Sequence, residues 1–282
     1  MKVVVTGGNG KLGRSVVERL RHEGHSVVNL DRAGDRGPGF ARVEFTDYGQ
    51  VADAMMGIND LHDGFDAVVH LAAIPAPALL PDAATFQNNM LTTYHVFQAA
   101  RRAGIKKIVY ASSETVLGLP FDTDPPYIPV DEEYAARPES TYSLVKHLEE
   151  QMAAQFTRWD PALSITALRF SNVMNPEDYT EFPSFDSDPM LRKWNLWGYI
   201  DGRDGAQAVL RSLENGKPGF DRFIIAAADT VMSRSSAGLA AEVFADVRVV
   251  KDVGEHETLL SIDKARRVLG YAPEHSWRDH VS

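Results

Sequence analysis

The sequence predicts an α/β protein built on a doubly wound parallel sheet, and three observations carry that reading. Short apolar β-branched runs recur along residues 1–170, amphipathic helical stretches separate them, and a glycine-punctuated turn opens the alternation. A chain of 282 residues with 44% hydrophobic composition can bury the core such a sheet needs. Its net charge of -10 argues against nucleic acid or an anionic membrane surface as partner. Cysteine is absent, which excludes disulfide and thiol chemistry and suits a reducing compartment. The first residues enter a strand with no basic-then-apolar leader, and no apolar run reaches membrane-spanning length, so a cytoplasmic protein is the expectation. No metal site is expected: the histidines form no helical pair backed by glutamate, and His22, His25, His62 and His147 read as surface residues.

Val3 to Val5 read as a buried strand, since a continuous β-branched run suits a sheet covered on both faces. Gly7, Gly10 and Gly13 turn the chain into a helix whose apolar face carries Leu12, Val16, Val17 and Leu20. Strand, glycine turn and helix in that order form a phosphate cradle: Gly7 lets the chain turn, Gly10 lets backbone N–H groups approach a pyrophosphate and Gly13 lets the helix pack close, with Asn9, Lys11 and Leu12 expected beside the cofactor in the same stretch. Backbone N–H groups and the positive end of the helix dipole point at the phosphates. His25 to Leu30 read as the second strand, with Asp31 at its tip, where an acid accepts hydrogen bonds from a ribose. That favours NAD, because a carboxylate repels a 2′-phosphate; the neighbouring Arg32 and Lys11 leave NADP open.

Gly34 to Gly39 form a turn-rich loop, Ala41 to Phe45 a third strand, and Asp47 caps a helix from about Gln50 to Met56. Asp66 to Ala73 is an apolar strand whose small C-terminal residues leave room for a ligand. Prolines 75, 77 and 81 precede a long helix from about Ala83 to Ala103, and Lys106 to Ala111 is a fifth strand running into Ser112 and Ser113. In the proline-rich loop that follows, Asp131, Glu132 and Glu133 read as a solvated face. Thr141 begins a helix that sets Tyr142 and Lys146 on one face. Ser164 to Phe170 is a sixth strand and Phe223 to Ala228 a late one, with helices near Ser235–Phe244 and Ile262–Leu269.

Taken in this order, the motifs resemble the extended short-chain dehydrogenase/reductase family, the group of the NAD-dependent sugar epimerases and dehydratases. The resemblance rests on Thr6-Gly-Gly-Asn-Gly-Lys-Leu-Gly13, His70-Leu-Ala-Ala73, Asn89, Tyr110-Ala-Ser-Ser113, Tyr142-x-x-x-Lys146, Leu168-Arg-Phe-Ser-Asn-Val173 and Tyr199-Ile-Asp-Gly-Arg-Asp204. It implies a Rossmann domain over 1–170 and a small substrate-binding cap over 171–282, with 199–228 returning to the sheet. It implies Tyr142 as general acid/base, Lys146 holding the nicotinamide ribose and favouring tyrosinate, and Ser113 bonding the reacting oxygen, with Ser112 as the alternative. A phenol near pKa 10 must be lowered to work at neutral pH, and the adjacent ammonium together with the cationic nicotinamide is the expected cause. Leu71, Ala72, Ala73, Asn89 and Ser112 would border the cofactor. Glu44 and Phe45 would meet adenine, although the family commonly has Asp at position 44. Glu114, Asn172 and Arg192 would contact substrate. Family members often dimerise through two helices, which makes the long helix from Ala83 and the Tyr142 helix the candidates for a homodimer face.

From Asn172 to Tyr199 about 27 residues intervene, and the basic residues there are Arg192 and Lys193, against Glu177, Asp178, Glu181, Asp186 and Asp188. That is a poor cradle for a nucleoside diphosphate. Trp194 and Trp197 either close a small pocket or fill the core. The expectation is an NAD-dependent oxidoreductase moving a hydride at a secondary alcohol or carbonyl of a small sugar-like or sugar-acid substrate. Its short substrate segment resembles that of uronate dehydrogenases. The alternative is a nucleotide-sugar epimerase or dehydratase that recycles its hydride. A cofactor-binding regulator without turnover is the third option, and the intact Ser113, Tyr142 and Lys146 stand against it.

Overall fold

The structure, a computed structural model, describes residues 1–34, 37–57 and 62–280, so residues 35 and 36 of the expected glycine-rich loop and the terminal 281–282 lie outside the described residues. Three successive valines make β1 (Lys2–Thr6) a strand buried on both faces: Val3 and Val5 join one hydrophobic layer and Val4 the other. The chain continues through α1 (Lys11–His22), β2 (Ser26–Asp31), β3 (Phe40–Arg42), α2 (Tyr48–Met56), β4 (Ala67–His70), α3 (Asp82–Arg102) and β5 (Lys107–Ser113). After them come β6 (Tyr127–Ile128), α4 (Thr141–Trp159), β7 (Ser164–Phe170), β8 (Val173–Met174), α5 (Phe182–Phe185), β9 (Ile200–Asp201) and α6 (Gly202–Asn215). The last elements are β10 (Gly219–Ile225), α7 (Ser236–Val243), β11 (Arg248–Val249) and α8 (Asp263–Leu269).

The main sheet is parallel throughout, in the order β10-β7-β5-β4-β1-β2-β3. Residues of α1 and α6 cover one face, and those of α2, α3 and α4 the other. Strand order reverses between β1 and β4, which opens a ligand crevice beyond the carboxyl ends of those strands. β6 with β11, and β8 with β9, form two short parallel pairs outside the sheet. No helix among the described residues is long and apolar enough to cross a membrane.

Several sequence expectations are corrected. The third strand is Phe40–Arg42, so Glu44 and Phe45 lie beyond its end. β4 stops at His70, which leaves Leu71 to Ala73 in a turn. Glu132 does not belong to a solvated face: it is buried, and its carboxylate accepts the Ile224 N–H at 2.8 Å. β10 is an edge strand, and this carboxylate satisfies an outward N–H that would otherwise be an open pairing site. His62 is half-buried against Phe65, and His147 is half-buried on α4. Trp197 is fully buried in the core, its indole N–H given to Pro189 O at 2.8 Å, while Trp194 packs at the core's margin.

Candidate active site

The cofactor cradle is held open by backbone geometry and stapled from β2. Gly7 has φ +72, and a Cβ there would sit 2.7 Å from Ala72 N; one at Gly13 would sit 2.2 Å from Gly7 O. No side chain caps the start of α1 and no acid occupies its first turn, so its N–H groups and dipole stay free for an anion. These features fit a dinucleotide pyrophosphate. Asn29 on β2, which sequence reasoning passed over, accepts Gly8 N–H at 3.0 Å and donates to Asn9 Oδ1 at 2.9 Å. Asp31, at the tip of the same strand, accepts Asn9 N–H at 3.0 Å and Ala33 N–H at 3.3 Å. Lys11 pairs with Asp178, 2.5 Å distant, and so ties the start of α1 to the C-terminal segment.

Other residues expected at the cofactor are committed elsewhere. Asn89 is fully buried, accepting Ile74 N–H at 2.8 Å and donating to Ile74 O at 3.0 Å, so its amide shapes the turn after β4. Ser112 gives its hydroxyl to Glu150 at 2.7 Å. Glu44 accepts from Thr46 N–H and hydroxyl, and the Phe45 ring is buried in the core. Leu71, Ala72 and Ala73 do lie between β4 and Ile74, at the carboxyl end of a central strand. Leu12 packs its side chain toward the core, leaving its backbone at the helix start.

β5 ends in Ser113, and α4 starts at Thr141 because Ser140 and Ser143 form a reciprocal capping box. These two termini bring Ser113, Tyr142 and Lys146 together. Lys146 Nζ lies 5.9 Å from the Tyr142 ring centroid and donates to Ala111 O at 2.9 Å and to Glu149 Oε2 at 2.9 Å. Burial pushes the Tyr142 phenol above its ordinary value, and the Lys146 ammonium and Ser113 hydroxyl draw it only part of the way back. Lys146 and Ser113 thus supply part of the lowering that the chemistry needs, and the cationic nicotinamide is the other expected contributor. Burial also works against the Lys146 charge, but Glu149 and Tyr142 outweigh it and hold the ammonium above its usual value. Ser113 accepts from Thr115 N–H at 3.2 Å and Thr115 hydroxyl at 3.0 Å, so its own hydrogen remains available.

Of the buried acids around this trio, sequence reasoning singled out Glu114 and missed Glu149 and Glu150. Glu150 makes a two-pronged ion pair with Arg169 at 2.9 and 2.7 Å, which locks α4 to β7. Glu114, next to Ser113, is buried and accepts from Ser171 at 2.6 Å and Asn195 at 3.3 Å. Burial pushes its carboxyl up to about 7, against the hydrogen bonds and the Arg192 charge. Arg192 is itself buried between the Phe185 and Trp194 rings, 5.1 and 5.0 Å from their centroids, and donates to Gly198 O at 3.1 Å. Asn172 is half-buried; its carbonyl pairs with Ile200 N–H at 3.0 Å and its backbone helps hold Glu114. The structure thus gathers Glu114, Asn172 and Arg192 into one polar cluster beside Ser113.

A parallel sheet with this strand order, a side-chain-free phosphate cradle and a Ser–Tyr–Lys trio defines a nucleotide-dependent oxidoreductase class. Residues 3–226 match the NAD dependent epimerase/dehydratase family, and the chain belongs to that family, within the extended short-chain dehydrogenase/reductases; its cofactor is NAD. It is similar to a uronate dehydrogenase of Pseudomonas syringae pv. tomato, 28% identical over 54% of this chain and 53% of that one. It is also similar to a UDP-glucose 4-epimerase of Corynebacterium glutamicum, 26% identical over 98% of this chain and 92% of that one. In several other matches, including the uronate dehydrogenase, the aligned part spans about half of the relative's length. A short-chain dehydrogenase/reductase superfamily protein from Agrobacterium tumefaciens with bound NAD has the same fold, at TM-score 0.74 and 25% identity, over 99% of this chain and 94% of that one.

Proposed function

We propose that this protein transfers a hydride between NAD and a secondary alcohol or carbonyl of a small sugar-like or sugar-acid substrate, with net change of the cofactor. The observation that carries the reading is the packing of 172–199. Tyr179, Phe182 and Trp197 from this segment are fully buried in the core, and Arg192 is buried beside Glu114. Lys193, the other cation of this segment, is half-buried and pairs with Asp124 at 3.4 Å, which leaves little free positive charge there for a nucleoside diphosphate. In this reading residues 1–170 bind the dinucleotide and 171–282 cap the substrate. NAD accepts or supplies the hydride. Tyr142 passes the proton to or from the reacting oxygen, Ser113 donates a hydrogen bond to that oxygen, and Lys146 holds the nicotinamide ribose from the Ala111 side. Glu114, Asn172, Asn195 and Arg192 recognise substrate hydroxyl or carboxylate groups. Exposed Phe86 and Tyr94 on α3 and Leu144 and Trp159 on α4 support a homodimer through those helices.

The full-length likeness to a UDP-glucose 4-epimerase favours a second reading, in which the hydride is returned to the same sugar. Calorimetric titration of the NADH-loaded protein separates the two at the level of binding. A small sugar acid such as glucuronate is expected to bind and UDP-glucose to give no heat. Tight binding of UDP-glucose, with none of the small sugars, would overturn the first reading and promote the second.

A further inference from the structure

One turn of helix past Lys146 stands a fully buried acid, Glu149, that the reading above does not use. Its Oε2 accepts from Lys146 Nζ at 2.9 Å, and its Oε1 accepts from the Thr93 hydroxyl at 2.8 Å. A threonine hydroxyl has one hydrogen, so Thr93, having given it to Glu149, must accept from His70 Nε2 at 3.1 Å. That fixes the imidazole. Burial and the Lys146 charge push His70 down to about 3, so the ring is neutral and its single hydrogen is on Nε2. His70 Nδ1 is therefore the acceptor for the Thr6 hydroxyl at 2.7 Å, and Thr6 Oγ1 accepts Ala72 N–H at 3.3 Å. Every hydrogen points the same way, from the turn after β4 through Thr6, His70 and Thr93 to Glu149, where Lys146 meets them from the opposite side. Hydrogen bonds aligned in this manner polarise one another.

We infer that Glu149 is a positioning residue for the Tyr142–Lys146 pair: it anchors the Lys146 ammonium at the end of this buried chain and opposes loss of the Tyr142 proton. The inference rests on Tyr142 being the proton-transferring group. The ammonium that favours tyrosinate is the same one that Glu149 touches, so the carboxylate cancels part of its field at the phenol. The other charged groups can be placed. Glu114, from the turn after β5, acts on Tyr142 in the same direction as Glu149. Glu150 is spent on Arg169, His70 is neutral, and Tyr110, from β5, is a buried phenol. Among the described residues, Glu149 alone joins the cofactor-side turn to Lys146 through hydrogen bonds.

Tyrosinate formation is followed by near-ultraviolet absorbance across a pH titration, each protein measured against its Tyr142→Phe counterpart. The difference isolates residue 142 and needs no substrate, so it stands whether or not the substrate reading does. Glu149→Gln is expected to bring ionisation of Tyr142 down by about one pH unit or more. Glu149→Asp keeps the charge and is expected to stay near the wild-type midpoint, although both variants disturb the packing. In a Lys146→Met background Glu149 has lost both the ammonium it anchors and the partner that opposes its burial, so adding Glu149→Gln is expected to move the Tyr142 midpoint by less than it does beside Lys146. An unmoved or raised midpoint with glutamine at 149 would overturn the inference, and so would an equal shift in the aspartate variant.

Discussion

Two buried carboxylates act on Tyr142, and the protein treats them differently. Glu149 is met by Lys146 at 2.9 Å and Thr93 at 2.8 Å, and every link behind it back to Ala72 has a partner. Glu114 has Ser171 and Asn195 as donors and feels the Arg192 charge without an ion pair. Around it Arg192 Nε and Asn195 Oδ1 are buried with no hydrogen-bond partner. Such groups are costly to leave unpaired, and native proteins rarely do so without a use for them. The comparison teaches where recognition is stored. On the Glu149 side the run from Ala72 to Lys146 is complete in itself, although Tyr110 Oη and Arg169 Nη1 nearby have no hydrogen-bond partner. On the Glu114 side a donor and an acceptor are left unpaired, and in the function proposed above a polar substrate would complete them.

The largest expected effect tests the residue on which both carboxylates act. Tyr142→Phe removes only the transferable proton, so turnover is expected to fall by ~10² to 10⁴ while NADH binding, read by fluorescence titration, persists. A variant with a near-normal rate would remove Tyr142 from the chemistry and with it the purpose of the comparison.

A smaller effect separates the two acids by pH. Burial raises Glu114 from 4.5 to about 7 in the folded protein, so between those values the folded state binds a proton that the unfolded state lacks. Its contribution to stability is therefore fully present below pH 4.5 and is lost as pH rises through about 7. Glu114→Gln abolishes that titration. Urea unfolding at pH 5 and pH 8 is expected to show the wild type losing about 2.5 kcal/mol more than the variant over this interval. Parallel pH dependence in the two proteins would mean that Glu114 is ionised throughout and is not the destabilised partner in the pair.

How much of this was legible in the sequence depends on how local each feature is. The glycine turn, the Asp47 cap and the Tyr142–Lys146 spacing are set within a few residues, and the structure places them as read. Strand ends were less legible: the third strand closes at Arg42, leaving Phe45 to turn into the core beyond it. Of the buried acids, Glu114 was named through its place after Ser113, while Glu149, Glu150 and Glu132 were not legible. Glu149 and Glu150 look like a charged helix face, and their partners Thr93 and Arg169 come from α3 and β7. Glu132 sits in an acidic run whose middle member alone turns inward to meet Ile224, 92 residues further along. Asn89 and Ser112 carry the residue types a ligand site wants, but Ile74 and Glu150 claim them. Periodicity and spacing report which side chains share a face, whereas pairing across the fold decides which of them remain free.

The central claim is that the substrate side holds a small polar molecule without a nucleotide handle, and the fate of the hydride tests it most directly. Without that handle a small oxidised product escapes, so each turnover leaves reduced cofactor behind. The measurement is the amount of NADH formed per enzyme as a panel of small sugars, sugar acids and UDP-sugars is offered with excess NAD. Net NADH growing in step with consumption of a small sugar or sugar acid, far beyond one equivalent per enzyme, is the result expected. Inversion of a UDP-sugar with reduced cofactor never exceeding the enzyme concentration would contradict it.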